Sequence, residues 1–246
     1  MRKMVLIFCS SLFSLNAFSN VDHVLWDQIL KKHVRGGWVH YKKLHEGWGE
    51  ETHPLKLYLK TIEKYTRKEV ERWSHNDQKA LYINAYNAYT LKLILEHYPL
   101  KSIRDLSDPW KQPIVKLMGE THHLDWIEHE VLRVIFKEPR IHAAVNCASK
   151  SCPPLASFAF EGSKLDQQLN GIMKAFVNDS VRNQYDLSKK QAHLSKIFKW
   201  YADDFKPSVR EYLLTFSDGK AKETLKNPDV EIDYLDYDWS LNELPS

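Results

Sequence analysis

Apolar residues recur at helical spacing in several segments of the chain. The first is "VDHVLWDQILKKHV", where Val24, Leu25, Ile29 and Val34 lie at helical spacing. A second is "PLKLYLKTIEKY", whose apolar positions are Leu55, Leu57, Tyr58 and Ile62. Both patterns predict amphipathic helices. Between them, "RGGWVHYKKL" predicts a turn with a short extended piece through Val39 and Tyr41.

The clearest helical pattern is "WSHNDQKALYINAYNAYTLKLILEHYP". Ser74 is a favourable N-cap, Asp77 sits near the positive end of the helix dipole, and Pro99 predicts the end. The predicted inward face consists of Ala80, Asn84, Asn87, Ala88, Leu91, Ile94 and Tyr98. Two asparagines therefore interrupt an apolar face, where an unpaired amide costs about 1–3 kcal/mol. Each amide is expected to have a partner.

The second half of the chain mixes helical and extended patterns. "THHLDWIEHEVLRVIF" predicts a helix capped by Asp125 with Glu128 three residues later, and "KLDQQLNGIMKAFVND" predicts another. "IHAAVN" predicts a buried strand, and "VRNQYDLSKKQAHLSKIF" two short extended pieces around a polar turn. "EIDYLDYDWSL" alternates, with Leu235, Tyr237 and Trp239 on one face and Asp236 and Asp238 on the other.

These elements predict a mainly helical α+β fold with a small sheet, and the strand "IHAAVN" within that sheet leads into the cysteines. A papain- or transglutaminase-like arrangement is one form that this class could take. Eight tryptophans and twelve tyrosines with eight glycines argue against disorder and against a repetitive β architecture. No repeat or linker divides the chain, so residues 20–246 are predicted to form a single domain.

The first nineteen residues, "MRKMVLIFCSSLFSLNAFS", have the pattern of a signal peptide. Arg2 and Lys3 precede a mostly apolar stretch, and Ala17 and Ser19 form a small-x-small cleavage site. The sequence therefore predicts a protein exported to the periplasm or secreted. No later segment has the unbroken apolar length of a membrane span.

The charge balance argues against a nucleic-acid partner. Removing Arg2 and Lys3 lowers the basic count from 35 to 33, against 32 acidic residues. Nucleic-acid binding needs clustered excess Lys and Arg. The expected partner is instead a small molecule or a peptide.

The stretch "RIHAAVNCASKSCPPL" holds the candidate reactive group. Cys147 and Cys152 are either a disulfide closing a small ring in an oxidising compartment or a site of thiol chemistry. A nucleophilic Cys147 needs a base within hydrogen-bond reach. On an extended strand, His142 and Asn146 share one face while Cys147 points to the other. This geometry favours His129 or His193 as the base, whereas a chain order with the histidine before the cysteine would use His129 or His142.

Other polar residues near these segments are candidate site residues. Asn84 and Asn87 could orient an imidazole or bind a substrate amide, or could hold a buried loop. Glu128, His129 and Arg133 could form an anion clamp on one helix face, or a solvated ion-pair face. His122, His123, Glu128 and His129 suit zinc chemically, but no H-E-x-x-H spacing exists, so no metal or cofactor is predicted.

Several of these segments, taken in order, resemble the bacterial and plant domain-of-unknown-function 547 family. The matching blocks are "ALYINAYNAYTLKLIL" (Ala80–Leu95), "LDWIEHEVLR" (Leu124–Arg133), "PRIHAAVNCASKSCPPL" (Pro139–Leu155), "LSKIFKWYADDF" (Leu194–Phe205) and "YLDYDWSLN" (Tyr234–Asn242). The resemblance covers about Val21 to Asn242. It implies no activity, because the family has no agreed function.

The resemblance changes which residues are favoured as site residues and as the base. Family motifs fall on Glu128, His129, His142, Cys147 and Cys152, whereas His193 lies outside the pattern and is weakened as a base. The family's plant members look intracellular, so a cysteine pair shared with them is explained less well by a purely structural disulfide, which adds modest weight to thiol chemistry. This chain looks like the exported bacterial form.

Two hypotheses follow. In the first, the protein is a thiol-dependent hydrolase or transferase acting on amide or thioester substrates. Its catalytic residues are Cys147, His129, His142 and Asn87, and its binding residues are Asn84, Glu128, Arg133, Asn146 and Cys152. In the second, it is a non-enzymatic domain that binds a peptide or an anion, and Cys147–Cys152 is a structural disulfide.

Overall fold

A long buried helix is the centre of the fold. The computed structural model describes residues 21–244. Its α-helices are α1 (Val24–His33), α2 (Tyr41–His45), α3 (Pro54–Ile62), α4 (Arg67–Val70), α5 (His75–Glu96), α6 (Leu165–Val177), α7 (Ile197–Trp200), α8 (Val209–Leu214) and α9 (Gly219–Lys226). A π-helix spans Trp126–Ile135, and short 3-10 helices include Pro139–Ala143 and Ala202–Asp204.

The strands form three small sheets. They are β1 (Val34–Arg35), β2 (Trp38–Val39), β3 (Val115–Leu117), β4 (Glu120–His122), β5 (Gln184–Asp186), β6 (Gln191–Leu194) and β7 (Glu231–Tyr234). β1 pairs with β2 and β3 with β4 as antiparallel hairpins. In the third sheet β6 lies in the middle, antiparallel to β5 and parallel to β7, with Ala192 opposite Ile232. The protein is thus a mainly helical α+β domain, as predicted.

Helix α5 begins and ends close to the predicted residues. The Ser74 hydroxyl accepts a hydrogen bond from the Asp77 backbone N–H (3.1 Å), which is the predicted N-cap. The predicted inward stripe is too narrow, because every residue from Ala80 to Leu91 is buried. Helix α5 is therefore covered on nearly all sides by the larger of two hydrophobic clusters. The second cluster lies among α6, β6 and α7 to α9.

The predicted strand "IHAAVN" is wrong. Pro139–Ala143 forms a 3-10 helix, and the Ala144 N–H binds the Ile141 carbonyl. Glu138 favours the turn because its carboxylate accepts a hydrogen bond from the Arg140 N–H (3.3 Å), and proline suits the first helical position. A short buried apolar run cannot by itself distinguish a strand from a helical turn.

The predicted helix over residues 121–136 is present, but its hydrogen bonding differs. Its main part is a π-helix in which the amide of Phe136 bonds to the carbonyl five residues earlier. The predicted Asp125 cap is wrong, because its side chain makes no capping hydrogen bond. The His123 Nδ1 accepts the Trp126 N–H (3.0 Å) instead. The first residues of the segment belong to β4.

Other predicted elements are confirmed with small changes. Helices α1, α3 and α6 and strands β5 and β6 lie within the predicted segments. Val24 and Leu57 were expected on apolar faces but are 63% and 41% exposed. Tyr41 begins α2 rather than extending β2. The last strand ends at Tyr234, although Leu235, Tyr237 and Trp239 remain more buried than Asp236 and Asp238.

The segment after β7 connects distant parts of the chain. The Asn242 N–H binds the Ala148 carbonyl (3.0 Å), and the Asn242 carbonyl accepts the Val39 N–H (2.9 Å). This segment therefore links hairpin β1–β2 to the loop that carries the cysteines. Within residues 21–244, no helix has both the length and the hydropathy needed to cross a membrane. The predicted signal peptide, residues 1–19, lies outside the described residues.

Candidate functional site

A cavity of about 310 Å³ lies between the π-helix, the cysteine loop, α7 and the segment after β7. Its size is in the range of small-molecule sites. We call it the aromatic pocket. It is lined by Tyr86, Trp110, Asp125, Glu128, His129, His142, Val145, Cys147, Cys152, Pro153, Ile197, Trp200, Tyr201, Tyr237 and Trp239.

Aromatic rings in mutual contact form one wall of the pocket. The ring centroids of Trp200 and Tyr237 are 4.8 Å apart, and those of Tyr237 and Trp239 are 4.6 Å apart. Trp200 and Trp239 are nearly parallel at 5.9 Å, and Trp110 meets Trp239 edge-on at 5.7 Å. Such rings offer a large, rigid contact surface to a ligand.

Glu128 is the buried carboxylate of the pocket, and its side chain is only 8% exposed. Its negative charge acts on the neighbouring phenols of Tyr86 and Tyr201. Burial, together with this neighbouring negative charge, raises the pKa of both tyrosines well above the ordinary value. The His142 Nδ1 lies 3.8 Å from the Glu128 carboxylate. The near neighbours of the Glu128 carboxylate are therefore two tyrosines and one imidazole.

His142 is fixed from several sides. Its Nε2 donates to the Asp204 carboxylate (2.7 Å), and its ring stacks on Tyr201 with centroids 3.9 Å apart. The Arg133 guanidinium binds the same carboxylate with two hydrogen bonds of 2.6 and 3.0 Å. Burial works to raise the pKa of Asp204, but the hydrogen bonds from His142 and Arg133 hold it far below its usual range.

The face assignment of His142 and Cys147 was wrong. The extended geometry predicted that they point in opposite directions, yet both line the aromatic pocket. The reason is the 3-10 helix Pro139–Ala143, because side chains on a helical turn do not alternate between two faces.

His129 and Arg133 interact within the π-helix. Arginine can only donate, so the Arg133 guanidinium donates to the His129 Nδ1 (3.1 Å), which leaves the proton of a neutral ring on Nε2. That Nε2 lies 3.7 Å from the Asp125 carboxylate. Arg133 thus bonds to Asp204 and His129. The predicted anion clamp would have to compete with both contacts.

The two cysteines form a disulfide, Cys147–Cys152. The Tyr237 hydroxyl lies 3.3 Å from the Cys147 sulfur and 3.4 Å from the Cys152 sulfur. The Cys147 N–H also donates to the Cys152 sulfur (2.9 Å). Among the hydrogen bonds of residues 21–244, none joins an imidazole to the Cys147 sulfur. The structure thus brings His129 and His142 into the same cavity as Cys147, but not into contact with it.

The buried asparagines hold loops rather than line the pocket. The Asn84 side chain bonds to the backbone of Phe160 through both its nitrogen and its oxygen (2.8 and 3.0 Å). The Asn87 amide binds the Ala144 carbonyl (2.9 Å) and the Asn146 N–H (2.8 Å). Asn146 itself binds the Pro153 carbonyl and the Ala148 N–H. The expected contact between Asn87 and an imidazole is absent from these bonds, within the part of the chain that the structure describes.

The sequence interpretation gave no site role to the aromatic lining or to Asp204, the partner of His142, although the resemblance places family motifs on Tyr86, Trp200, Asp204, Tyr237 and Trp239. Tyr201 and Asp204 lie in "KWYADDF", and Tyr237 and Trp239 in "YLDYDWSL". The available signal was the concentration of Trp and Tyr in two short polar segments. Within residues 21–244, no group of three or more His, Cys, Asp or Glu side chains could hold a metal ion.

The fold and the site together define an α+β domain with an aromatic pocket around a buried carboxylate. A family model described as "Protein of unknown function, DUF547" matches residues 70–177, from α4 to the end of α6. Over these residues the chain is similar to that family, which confirms the predicted resemblance for the blocks between Ala80 and Leu155. No curated protein and no solved structure matches the chain. The papain- or transglutaminase-like arrangement therefore stays a prediction.

Proposed function

We propose that this protein is a binding domain whose ligand, a small molecule or a peptide side chain, enters the aromatic pocket. The observation that carries the proposal is the cavity of about 310 Å³, whose lining combines aromatic rings with the Glu128 carboxylate. Concave, mostly apolar cavities with a few oriented polar groups are the usual form of ligand sites. The disulfide supports binding over thiol chemistry because the sulfur of Cys147, the candidate nucleophile, is bonded to Cys152.

A fragment screen by ligand-observed NMR tests this function. Val145 lines the pocket and is 7% exposed, so Val145→Phe should fill part of the cavity. The matched control is Val134→Phe, because Val134 lies on the π-helix and is 63% exposed. We expect fragments that bind wild type and Val134→Phe, and at least about tenfold weaker binding to Val145→Phe, a loss of about 1.4 kcal/mol.

Two outcomes would contradict the binding proposal. One is that no fragment binds the wild-type protein. The other is that binding survives in Val145→Phe and in a second filling variant, Ile197→Trp. Circular dichroism of each variant shows whether it has kept the fold.

The thiol-dependent hydrolase or transferase is the second candidate. The observation in its favour is that Cys147 lines the same cavity as His129 and His142. An external thiol reductant would first have to open the disulfide. The Cys147 thiolate would then attack a substrate carbonyl carbon and expel an amine or thiol, and water would release the acyl group.

Mass mapping and alkylation separate the two candidates. A fully formed Cys147–Cys152 bond in the protein as isolated favours binding, and free thiols favour chemistry. For the reduced protein, we would compare iodoacetamide labelling of wild type and Cys147→Ser. A Cys147 that reacts no faster than free cysteine counts against the enzyme.

We also propose that the protein is exported to the periplasm or secreted. The support is the signal-peptide pattern of residues 1–19 and the disulfide, since such bonds persist in oxidising compartments. Mass measurement of the periplasmic fraction is expected to find a chain that starts at Asn20. A chain that keeps Met1 and stays in the cytoplasm would contradict export.

A further inference from the structure

Glu128 is a buried carboxylate without a fixed cationic partner. In the part of the chain that the structure describes, no Lys or Arg nitrogen lies within 4 Å of its oxygens, and His142 is the one basic group within that distance. Moving an unpaired charge out of water is costly. A cationic group that entered the pocket would supply the missing counter-charge.

The nearest guanidinium is already paired elsewhere. Arg133 makes its two short hydrogen bonds to Asp204, and it also donates to His129. Tyr86 and Tyr201 lie near Glu128 but carry no positive charge. Arg133 therefore acts on the Glu128 charge only from a distance and forms its ion pair with Asp204.

The aromatic wall attracts cations by a second mechanism. The faces of Trp and Tyr rings carry negative electrostatic potential, and cages of such rings bind quaternary ammonium groups. The structure already shows the effect at this wall, because the Arg104 guanidinium lies 5.2 Å from the Trp239 ring centroid. Arg104 is exposed and is not among the residues that line the cavity.

The remaining lining argues against other ligand classes. Of the charged side chains in the described lining, Asp125 and Glu128 are acidic and none is Lys or Arg. An anion would meet two carboxylates. The lining therefore argues against an anionic ligand.

We propose that the aromatic pocket binds an organic cation, an alkylammonium group held by Glu128 and by the rings of Trp200, Tyr237 and Trp239. The inference rests on the proposed binding function and narrows it to one ligand class. The charge pairs with the carboxylate, and the alkyl groups contact the rings.

Isothermal titration calorimetry with choline and its neutral isostere 3,3-dimethylbutan-1-ol tests the charge requirement. The two probes have nearly the same shape, so a difference in affinity reports the positive charge. We expect choline to bind wild type at least about tenfold more tightly, which corresponds to about 1.4 kcal/mol. Tetramethylammonium serves as a smaller second cation.

The variant Glu128→Gln removes the charge and keeps the side-chain shape. It should weaken choline binding at least about tenfold and leave the affinity for the isostere unchanged. The matched control is Glu130→Gln, because Glu130 lies on the same helix and is exposed. This control should keep choline affinity within about twofold. Trp200→Leu, at a ring that is 47% exposed, should also weaken choline more than the isostere.

The outcomes distinguish this inference from the function on which it rests. Equal affinities for choline and the isostere, or a preference that persists in Glu128→Gln, would overturn the cation assignment. So would a lack of binding by both cations at about 10 mM. If the fragment screen still finds ligands excluded by Val145→Phe, the binding function stands without the cation. If the fragment screen finds no ligand, both the binding function and the cation assignment fail.

Discussion

Asparagine side chains buried on α5 hold the loops around the site. Asn87 bonds to the backbone of residues 144 and 146 on either side of the turn that leads to Cys147. We expect Asn87→Ala to lower the free energy of unfolding by about 3 kcal/mol, because two buried backbone groups lose their partners. Urea denaturation of the purified variant measures the change.

Asn76→Ala is the matched control for this prediction. Asn76 lies on the same helix, and its amide makes one exposed hydrogen bond to Asp166 (3.3 Å). We expect a loss below about 1 kcal/mol. If Asn87→Ala cost no more than the control, Asn87 would not be a loop clamp, and its predicted role at the site would regain support.

Asp204 links the site to acid stability. Its pKa in the folded protein lies below the unfolded value of about 3.9, so it adds stability above that pH and loses it as the pH falls further. We expect Asp204→Asn to lower the free energy of unfolding by about 2 kcal/mol at pH 7. The difference from wild type should shrink between pH 4 and pH 2.

Denaturation curves at pH 7, 5 and 3 measure this dependence. Asp203→Asn is the neighbouring control, because the Asp203 side chain is fully exposed, and its curves should follow wild type. A deficit of Asp204→Asn that stays constant from pH 7 to pH 3 would mean that the Asp204 charge does not stabilise the fold.

Residue-scale prediction from the sequence succeeded where a residue's own chemistry sets a requirement. Polar amides on an apolar face predicted that Asn84 and Asn87 must have partners, and they do. The identity of those partners could not be predicted, because Phe160 lies 76 residues from Asn84. The same holds for His142, whose partner Asp204 is 62 residues away.

Hairpin β1–β2 supports the loop that lines the pocket through a close contact at its turn. Gly37 has φ of +86°, and a Cβ placed there would lie 2.6 Å from the Pro154 Cα, next to the pocket residue Pro153. We expect Gly37→Ala to lower the free energy of unfolding by about 3 kcal/mol or more, since backbone strain and a backbone clash add. Thermal and urea denaturation measure the loss.

Gly36→Ala separates the two contributions. Gly36 has φ of +58°, but a Cβ there would come no closer than 3.9 Å to another side chain. Strain alone predicts a loss of about 1–2 kcal/mol. Equal losses in the two variants would show that the contact between the turn and Pro154 contributes nothing.

The elements around the site illustrate what periodicity can and cannot predict. The apolar pattern of residues 126–135 correctly predicted a helix, but it did not reveal the π-type hydrogen bonding. That bonding matters because π-helical segments occur often at functional sites, and this one carries Glu128 and His129. At Pro139–Ala143 the short apolar run is compatible with a strand and with a helical turn. Only tertiary contacts could determine which of the two forms.

On the scale of the whole molecule, the pocket is assembled from distant segments. Tyr86 comes from α5, Glu128 from the π-helix, Cys147 from the loop after it, and Tyr237 from the end of the chain. The sequence predicted the α+β class because local patterns determine most elements. It could not predict the pocket, because no local pattern encodes which segments meet across 90 residues or more.

The contact between the two ends of the described chain gives the last prediction. The Tyr41 hydroxyl donates to the Asn242 side-chain oxygen (2.8 Å), although the two residues are 201 positions apart. The Asn242 amide nitrogen also lies 3.3 Å from the Gly37 carbonyl and from the Asn146 side-chain oxygen. This residue thus joins the hairpin, the cysteine loop and the segment that provides Tyr237 and Trp239.

A double-mutant cycle of Tyr41→Phe and Asn242→Ala measures whether this junction stabilises the whole fold. Because both residues are buried and share one hydrogen bond, we expect the double variant to lose about 1 kcal/mol less than the two single losses combined. The control is Tyr185→Phe with Asn242→Ala, since the Tyr185 hydroxyl binds the Val177 carbonyl instead. Additive losses in both pairs would mean that the Tyr41–Asn242 hydrogen bond does not couple the two ends.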